Sequence, residues 1–154
     1  MGIEDDIAVF ERVPLLRLLG RGALRILAIG AETRYIHSGE VLFSMGEKAD
    51  AGFVIQEGTF RLQPTDARGI DVSVGPGTLL GEIALLKETL RPVTATATEP
   101  ATVIRISRSL FLKMLEGFPD AAERLRDTMV DRADETTREI NSMLGGLDPT
   151  GRAR

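Results

Sequence analysis

Glu82 and Arg91, separated by nine positions, sit in a run of glycines and small apolar residues that could handle an anion. The segment Gly81-Glu82-Ile83-Ala84-Leu85-Leu86-Lys87-Glu88 has a composition that favours helix over strand. The start of a helix presents N–H groups without intrahelical partners, and Gly77 and Gly81 leave the backbone there accessible, so an anion can be received. Arg91 adds a planar fork of charge-assisted donors if the returning chain brings it beside that start. Glu82 would repel a bare phosphate. The conflict disappears for a ligand that carries hydroxyls beside its phosphate, as a ribose does: the carboxylate accepts from the sugar and pairs in part with Arg91.

Other groupings are possible. Glu82 with Asp71 or Glu88 would make a two-carboxylate hydrolase site, although nothing in the spacing fixes their separation. His37 and Ser38 are adjacent, and neighbours on a strand point to opposite faces, so a turn-flanking surface histidine is the simpler reading. Phe43, Phe53, Val72 and Val74 read as the core of a β structure, with Val74 able to serve a ligand as well. For Arg91 the structural alternative is a salt bridge to Glu82 in a domain that has lost its ligand.

The elements that position these residues follow from the period of the apolar positions. From Ile3 to about Ala31 they recur at three and four, punctuated by Pro14 and Gly20, which predicts short amphipathic helices within an N-terminal segment 1–34. Residues 35–106 switch to short β-type runs: Val41 to Met45, Phe53 to Gln56, Thr59 to Gln63, Ile70 to Val74, Val93 to Thr98 and Ala101 to Ile106. Such runs broken by Gly or Pro read as an antiparallel jelly roll. From Ser107 the texture is helical again: Ser107 caps a helix through Leu115, Gly117 ends it, and Pro119 opens a long one to about Leu144. Residues 145–154, with Gly145-Gly146 and Pro149, read as a flexible tail.

The 154 residues carry 23 acids against 19 bases, 16 of them Arg and 3 Lys, for a formal charge of -4. That balance makes a poor binder of bare polyanions. With no Cys and one His there is no disulfide framework, thiolate metal site or multi-histidine site, and a cytoplasmic setting is expected. No apolar run approaches the roughly 20 residues needed to span a bilayer. Between Glu116 and Glu139 eight acids face four arginines, and Glu123, Asp127, Asp131, Glu135 and Glu139 form a like-charge stripe. Another face of the same helix carries Leu125, Met129, Thr136, Ile140 and Met143, a seam suited either to its own domain or to the same helix of a second chain, the homodimer being preferred.

The run Gly77-Thr78-Leu79-Leu80-Gly81-Glu82-Ile83-Ala84-Leu85-Leu86, followed by Arg91, Thr94 and Ala97, resembles the phosphate-binding cassette (residues 77–94) of the cyclic-nucleotide-binding domain family. Ser38-Gly39-Glu40-Val41-Leu42-Phe43 with Gly46, and Val54-Ile55-Gln56-Glu57-Gly58, are similar to that family's turn glycines. The resemblance implies a mainly β fold, an eight-stranded antiparallel β roll with short N-terminal helices and a long C-terminal helix. It also implies a non-enzymatic sensor without a resident cofactor or metal, whose ligand is a cyclic nucleotide; cAMP is the preferred ligand, with cGMP left open. Glu82 would meet the ribose 2′-hydroxyl, and Arg91 with the N–H groups of Ile83 and Ala84 would meet the cyclic phosphate beside Gly81. Val93 and Thr94 belong to the same candidate set. Ile106-Ser107, Phe111, Phe118-Pro119-Asp120, Arg124-Leu125 and Thr136-Thr137 resemble the hinge and dimer helix of bacterial catabolite activators, where a Thr-Ser pair contacts adenine; Thr136 and Thr137 would then reach the base.

Two departures stand out. Pro92 occupies a position where the family usually has a residue with a free N–H, which bonds the phosphate and in some cGMP-selective members also supplies a hydroxyl; Pro92 has neither. Catabolite activators continue into a helix-turn-helix domain, whereas about ten residues follow Leu144 here, so no DNA-binding domain is expected, and the protein partner is left open. The alternative function is a degenerate β roll that no longer binds nucleotide and serves as an interaction or dimerisation module.

Overall fold

The computed structural model describes residues 2–64 and 71–128. Three helices open the chain, α1 (Ile3–Phe10), α2 (Pro14–Arg17) and α3 (Arg21–Gly30). Pro14 stands at the first helical position of α2, where its missing N–H costs nothing, and Gly20 takes φ +85° to turn the chain into α3. Their apolar stripes bury Ile7, Phe10, Leu16, Leu24 and Leu27.

Among the described residues ten strands follow: β1 (Glu32–Ile36), β2 (Val41–Phe43), β3 (Lys48–Ala49), β4 (Ala51–Glu57), β5 (Phe60–Pro64), β6 (Val72–Val74), β7 (Leu79–Leu80), β8 (Thr89–Leu90), β9 (Val93–Ala97) and β10 (Ala101–Ser107). Eight of them build two four-stranded sheets, in the orders β1-β10-β4-β7 and β2-β9-β5-β6, and β3 with β8 makes a separate ribbon. Every pairing is antiparallel. The fold is the mainly β roll with flanking helices that the residue pattern and the family resemblance led us to expect. β1 begins at Glu32, inside the segment assigned above to helices. Only Ile36 of that strand is buried, so no apolar alternation announces it. Val72, expected in the core, is exposed because β6 lies at the edge of its sheet.

Two cores result. Phe43, Phe53, Ile55, Phe60, Ala95 and Val103 fill the space between the sheets. The opposite face of β4 and β10, with Val54, Ile104 and Ile106, packs against the helices. β4 is therefore buried on both faces from Ala51 to Gln56, and each large apolar side chain fully buried in this way contributes ~1.5 to 3 kcal/mol relative to exposure.

Helix α4 (Arg108–Gly117) starts at Ser107, whose Oγ accepts from the Leu110 N–H at 3.2 Å. A fifth helix, α5, opens at Pro119, and its described part is 119–128. Here the expected seam is corrected at its first member. Leu125 is 2% exposed and lies with Ala121 in the core shared with the N-terminal helices, so it faces its own chain. Arg124 reinforces that docking: its Nε donates to the Leu18 carbonyl at 2.8 Å and its Nη2 to the Leu19 carbonyl at 3.4 Å. The rest of the proposed dimer helix to residue 144, including Thr136, Thr137 and much of the acidic stripe, lies outside the described residues, as does the tail 145–154. Among the described residues no helix is long and apolar enough to cross a membrane.

Candidate functional site

The site is assembled where β7, a single helical turn and the β3-β8 ribbon converge. β7 pairs with β4 through Phe53↔Leu80 and delivers the chain to Gly81, which has φ +81°. The segment read as helix is one 3-10 turn, Ile83–Leu85, after which the chain enters β8 at Thr89. Leu85 anchors that turn in the helix-facing core beside Phe111 and Met114 of α4. The Ala84 N–H donates to the Gly81 carbonyl at 3.1 Å, so one of the two amides expected to meet a phosphate is engaged in the turn itself.

The ribbon, in the register Lys48↔Leu90 and Ala49↔Thr89, presents Arg91 to this turn. The Arg91 backbone is held on both sides, its N–H donating to the Glu47 carbonyl at 2.8 Å and its carbonyl accepting from Gly46 at 2.9 Å. The side chain points inward and Arg91 is only 5% exposed. Its guanidinium carbon lies 4.4 Å from the centroid of the Phe43 ring and 5.4 Å from that of Phe53. Nη1 is buried without a hydrogen-bond partner. It also lies so close to Gly81 that a β-carbon there would collide with it. Burial pushes the guanidinium below its ordinary pKa, while the carboxylates of Asp50 and Glu47 act in the opposite direction. Arginine keeps its charge under such a pull, so the site holds a desolvated cation with an unfilled donor.

Gly81, Glu82, Ile83, Ala84 and Arg91 all line one cleft of about 340 Å³, together with Ala49, Leu79, Thr89, Leu90 and Pro92. Ile83 and Leu90, 51% and 57% exposed, give it an apolar rim. The partial Glu82–Arg91 pairing expected above is corrected: both residues line the cleft, but the guanidinium lies against the two phenylalanines and its Nη1 touches no acceptor. The other candidates are placed nearby. Val74 pairs with Phe60, Val93 with Pro64, and both pack against the inter-sheet core. The Thr94 Oγ1 accepts from the Met45 N–H at 3.0 Å. None of these three lines the cleft.

The competing groupings are not gathered. Asp71 sits 3.9 Å from Arg61 across β5 and β6, and Glu88 lines a neighbouring cleft of about 550 Å³ with Lys48, Asp50 and Arg108. Ser38 donates to the Thr98 carbonyl at 3.4 Å within the turn that holds His37. Phe43 and Phe53 are core residues as expected, yet their ring faces also meet Arg91. No local sequence signal announces that contact, because the two rings come from different sheets.

The β roll thus turns a glycine-flanked loop towards a buried arginine that keeps one donor unfilled. The chain belongs to the cyclic nucleotide-binding domain family, which matches residues 33–118. It is 40% identical to a cyclic nucleotide-binding-like protein from Brucella abortus bv. 1 str. 9-941, with a TM-score of 0.65 over 73% of this chain and 98% of that one. A cyclic nucleotide-gated potassium channel of Mesorhizobium japonicum is 28% identical over 78% of this chain and 33% of its own length. The cyclic AMP receptor protein of Thermus thermophilus is 27% identical over 71% of this chain and 52% of its own. The chain thus corresponds to a third of the channel and about half of the receptor.

Proposed function

We propose that the protein is a non-enzymatic cyclic-nucleotide sensor that prefers cAMP. The observation that carries this reading is the buried Arg91 Nη1 with no partner, pressed against Gly81 in a cleft that also holds Glu82. A buried charged nitrogen left unpaired is costly, and an anionic ligand would satisfy it. In this reading Arg91 and the N–H of Ile83 receive the cyclic phosphate, and the Ala84 N–H shares its bond with the Gly81 carbonyl. Glu82 accepts from the 2′-hydroxyl, and Val74, Val93 and Thr94 stand behind the ligand on the roll. Pro92 withholds one phosphate donor, and an absent hydrogen bond to a charged group costs ~1.5 to 3 kcal/mol, so the affinity is modest for such a site. The lack of a hydroxyl at Pro92 favours cAMP over cGMP.

The proposed output is a population shift of the C-terminal helices on ligand binding. Two contacts support it. Leu85 of the cassette turn shares a core with Phe111 and Met114 of α4. Arg108 clasps the ribbon next to Arg91, its backbone N–H donating to the Asp50 carbonyl at 2.8 Å and its Nη1 to the Ala49 carbonyl at 3.3 Å. Calorimetric titration with cAMP and cGMP tests the reading. cAMP should bind more tightly than cGMP, and Arg91→Ala should weaken cAMP at least tenfold; equal affinity in the parent and the variant refutes Arg91 as the anchor.

A further inference from the structure

We propose that Phe43 and Phe53 are positioning residues for the phosphate: they stack the Arg91 guanidinium so that its edge donors stay available to the ligand and are not captured by Asp50 or Glu47. The inference rests on Arg91 being the phosphate anchor. The two rings lie 6.0 Å apart with planes tilted by 32° and come from the two sheets, Phe43 ending β2 and Phe53 lying in β4. Phe53 pairs with Leu80, the residue before Gly81, so the same register sets the Phe53 ring and the glycine facing Nη1.

An arginine has five donors on a long flexible stem and ordinarily spends them on the nearest carboxylates. Asp50 and Glu47 are the acids whose charge Arg91 feels, yet its Nη1 remains without a partner. Stacking resolves this. A guanidinium over an aromatic face is held by the negative ring quadrupole through its flat surface, which leaves the in-plane N–H groups unused. An aliphatic side chain of similar volume would fill the core without holding that plane. The cleft would then contain a cation free to swing to Asp50, already 3.3 Å from Arg105.

A double-mutant cycle tests this by calorimetry with cAMP on the full chain, using Phe43→Leu, Arg91→Gln and the combination, with Phe53→Leu as a second perturbation if the first variant folds poorly. In the parental background Phe43→Leu should weaken binding by about tenfold, the effect of a desolvated cation–π contact. In the Arg91→Gln background, which has no cation for the ring to hold, the same change should have less than a twofold effect. An equal loss in both backgrounds means that the ring only packs, and overturns the inference while leaving Arg91 as the anchor. Unchanged cAMP affinity in Arg91→Ala removes the anchor and the inference together. The Arg91 Nε–H proton in the unliganded protein gives an independent reading by NMR. It should carry an upfield ring-current shift that Phe43→Leu reduces, and an unshifted resonance in the parent overturns the inference.

Discussion

Gly81→Ala is the most discriminating single change, because the structure supplies its own control. Gly81 and Gly39 have nearly the same φ, +81° and +84°, in the region that disfavours a β-carbon. A β-carbon at either position meets the left-handed penalty of ~1 to 2 kcal/mol. At Gly39 the added methyl has nothing within 4 Å; at Gly81 it strikes Arg91 Nη1 and comes within 3.3 Å of the Ala51 carbonyl. Since the Arg91 nitrogen is the far end of a flexible side chain, the guanidinium should move and the backbone should stay. Both variants should therefore lose a similar ~1 to 2 kcal/mol, lowering the melting temperature by roughly 2 to 8 °C at this chain length. Only Gly81→Ala should lose ligand affinity, by about 10- to 100-fold, because a displaced guanidinium forfeits charge-assisted bonds of ~1.5 to 3 kcal/mol. Thermal melts followed by calorimetry with cAMP measure both quantities. Parental affinity in Gly81→Ala, or equal affinity losses in the two variants, would refute the claim that this glycine makes space for the anchor.

Three further outcomes follow from contacts away from the cleft. Ser107→Ala removes the acceptor for the Leu110 N–H and should cost ~1 kcal/mol in denaturant unfolding, with the midpoint unchanged if the cap is dispensable. Arg124→Ala deletes the two bonds to the Leu18 and Leu19 carbonyls and should speed amide hydrogen exchange in 119–128, while leaving exchange in β4 at the parental rate. Burial raises the Asp6 carboxyl above its ordinary value against the opposing hydrogen bond from Gln56, so the folded state binds this proton more tightly than the unfolded state. That contribution is complete below pH 3.8 and is lost as pH rises through the folded pKa. Asp6→Asn should flatten this part of the stability–pH curve, and an unaltered slope would count against it.

How much of this could be read from residues alone varied with the range of the interactions. β4 and β10 were legible because contiguous apolar runs mark strands buried on both faces, and the cap at Ser107 because capping is local. β3, β7 and β8 were not, since two-residue strands such as Lys48–Ala49 and Thr89–Leu90 carry no period and exist only through long-range pairing. The turn at Ile83–Leu85 has a helical composition but stays short, because the chain must bury Leu85 and re-enter the ribbon four residues later at Thr89. That Gly81, Glu82, Ile83, Ala84 and Arg91 share one neighbourhood was legible in their spacing, and the structure lines one cleft with them. The orientation of Arg91 was not, because composition pairs opposite charges while the three-dimensional arrangement places this one over two rings. Leu125 shows the same limit: spacing identifies an apolar face but not the surface that covers it.

The border strand β1 has a consequence for behaviour at high concentration. Its four leading residues, Glu32, Thr33, Arg34 and Tyr35, all face water, and the Arg34 Nε donates to Glu32 at 3.0 Å. Charges along this border of the described sheet disfavour the docking of a foreign strand, since each would have to shed its hydration to continue the ladder. The four-stranded layer is thereby discouraged from growing sideways into fibrils.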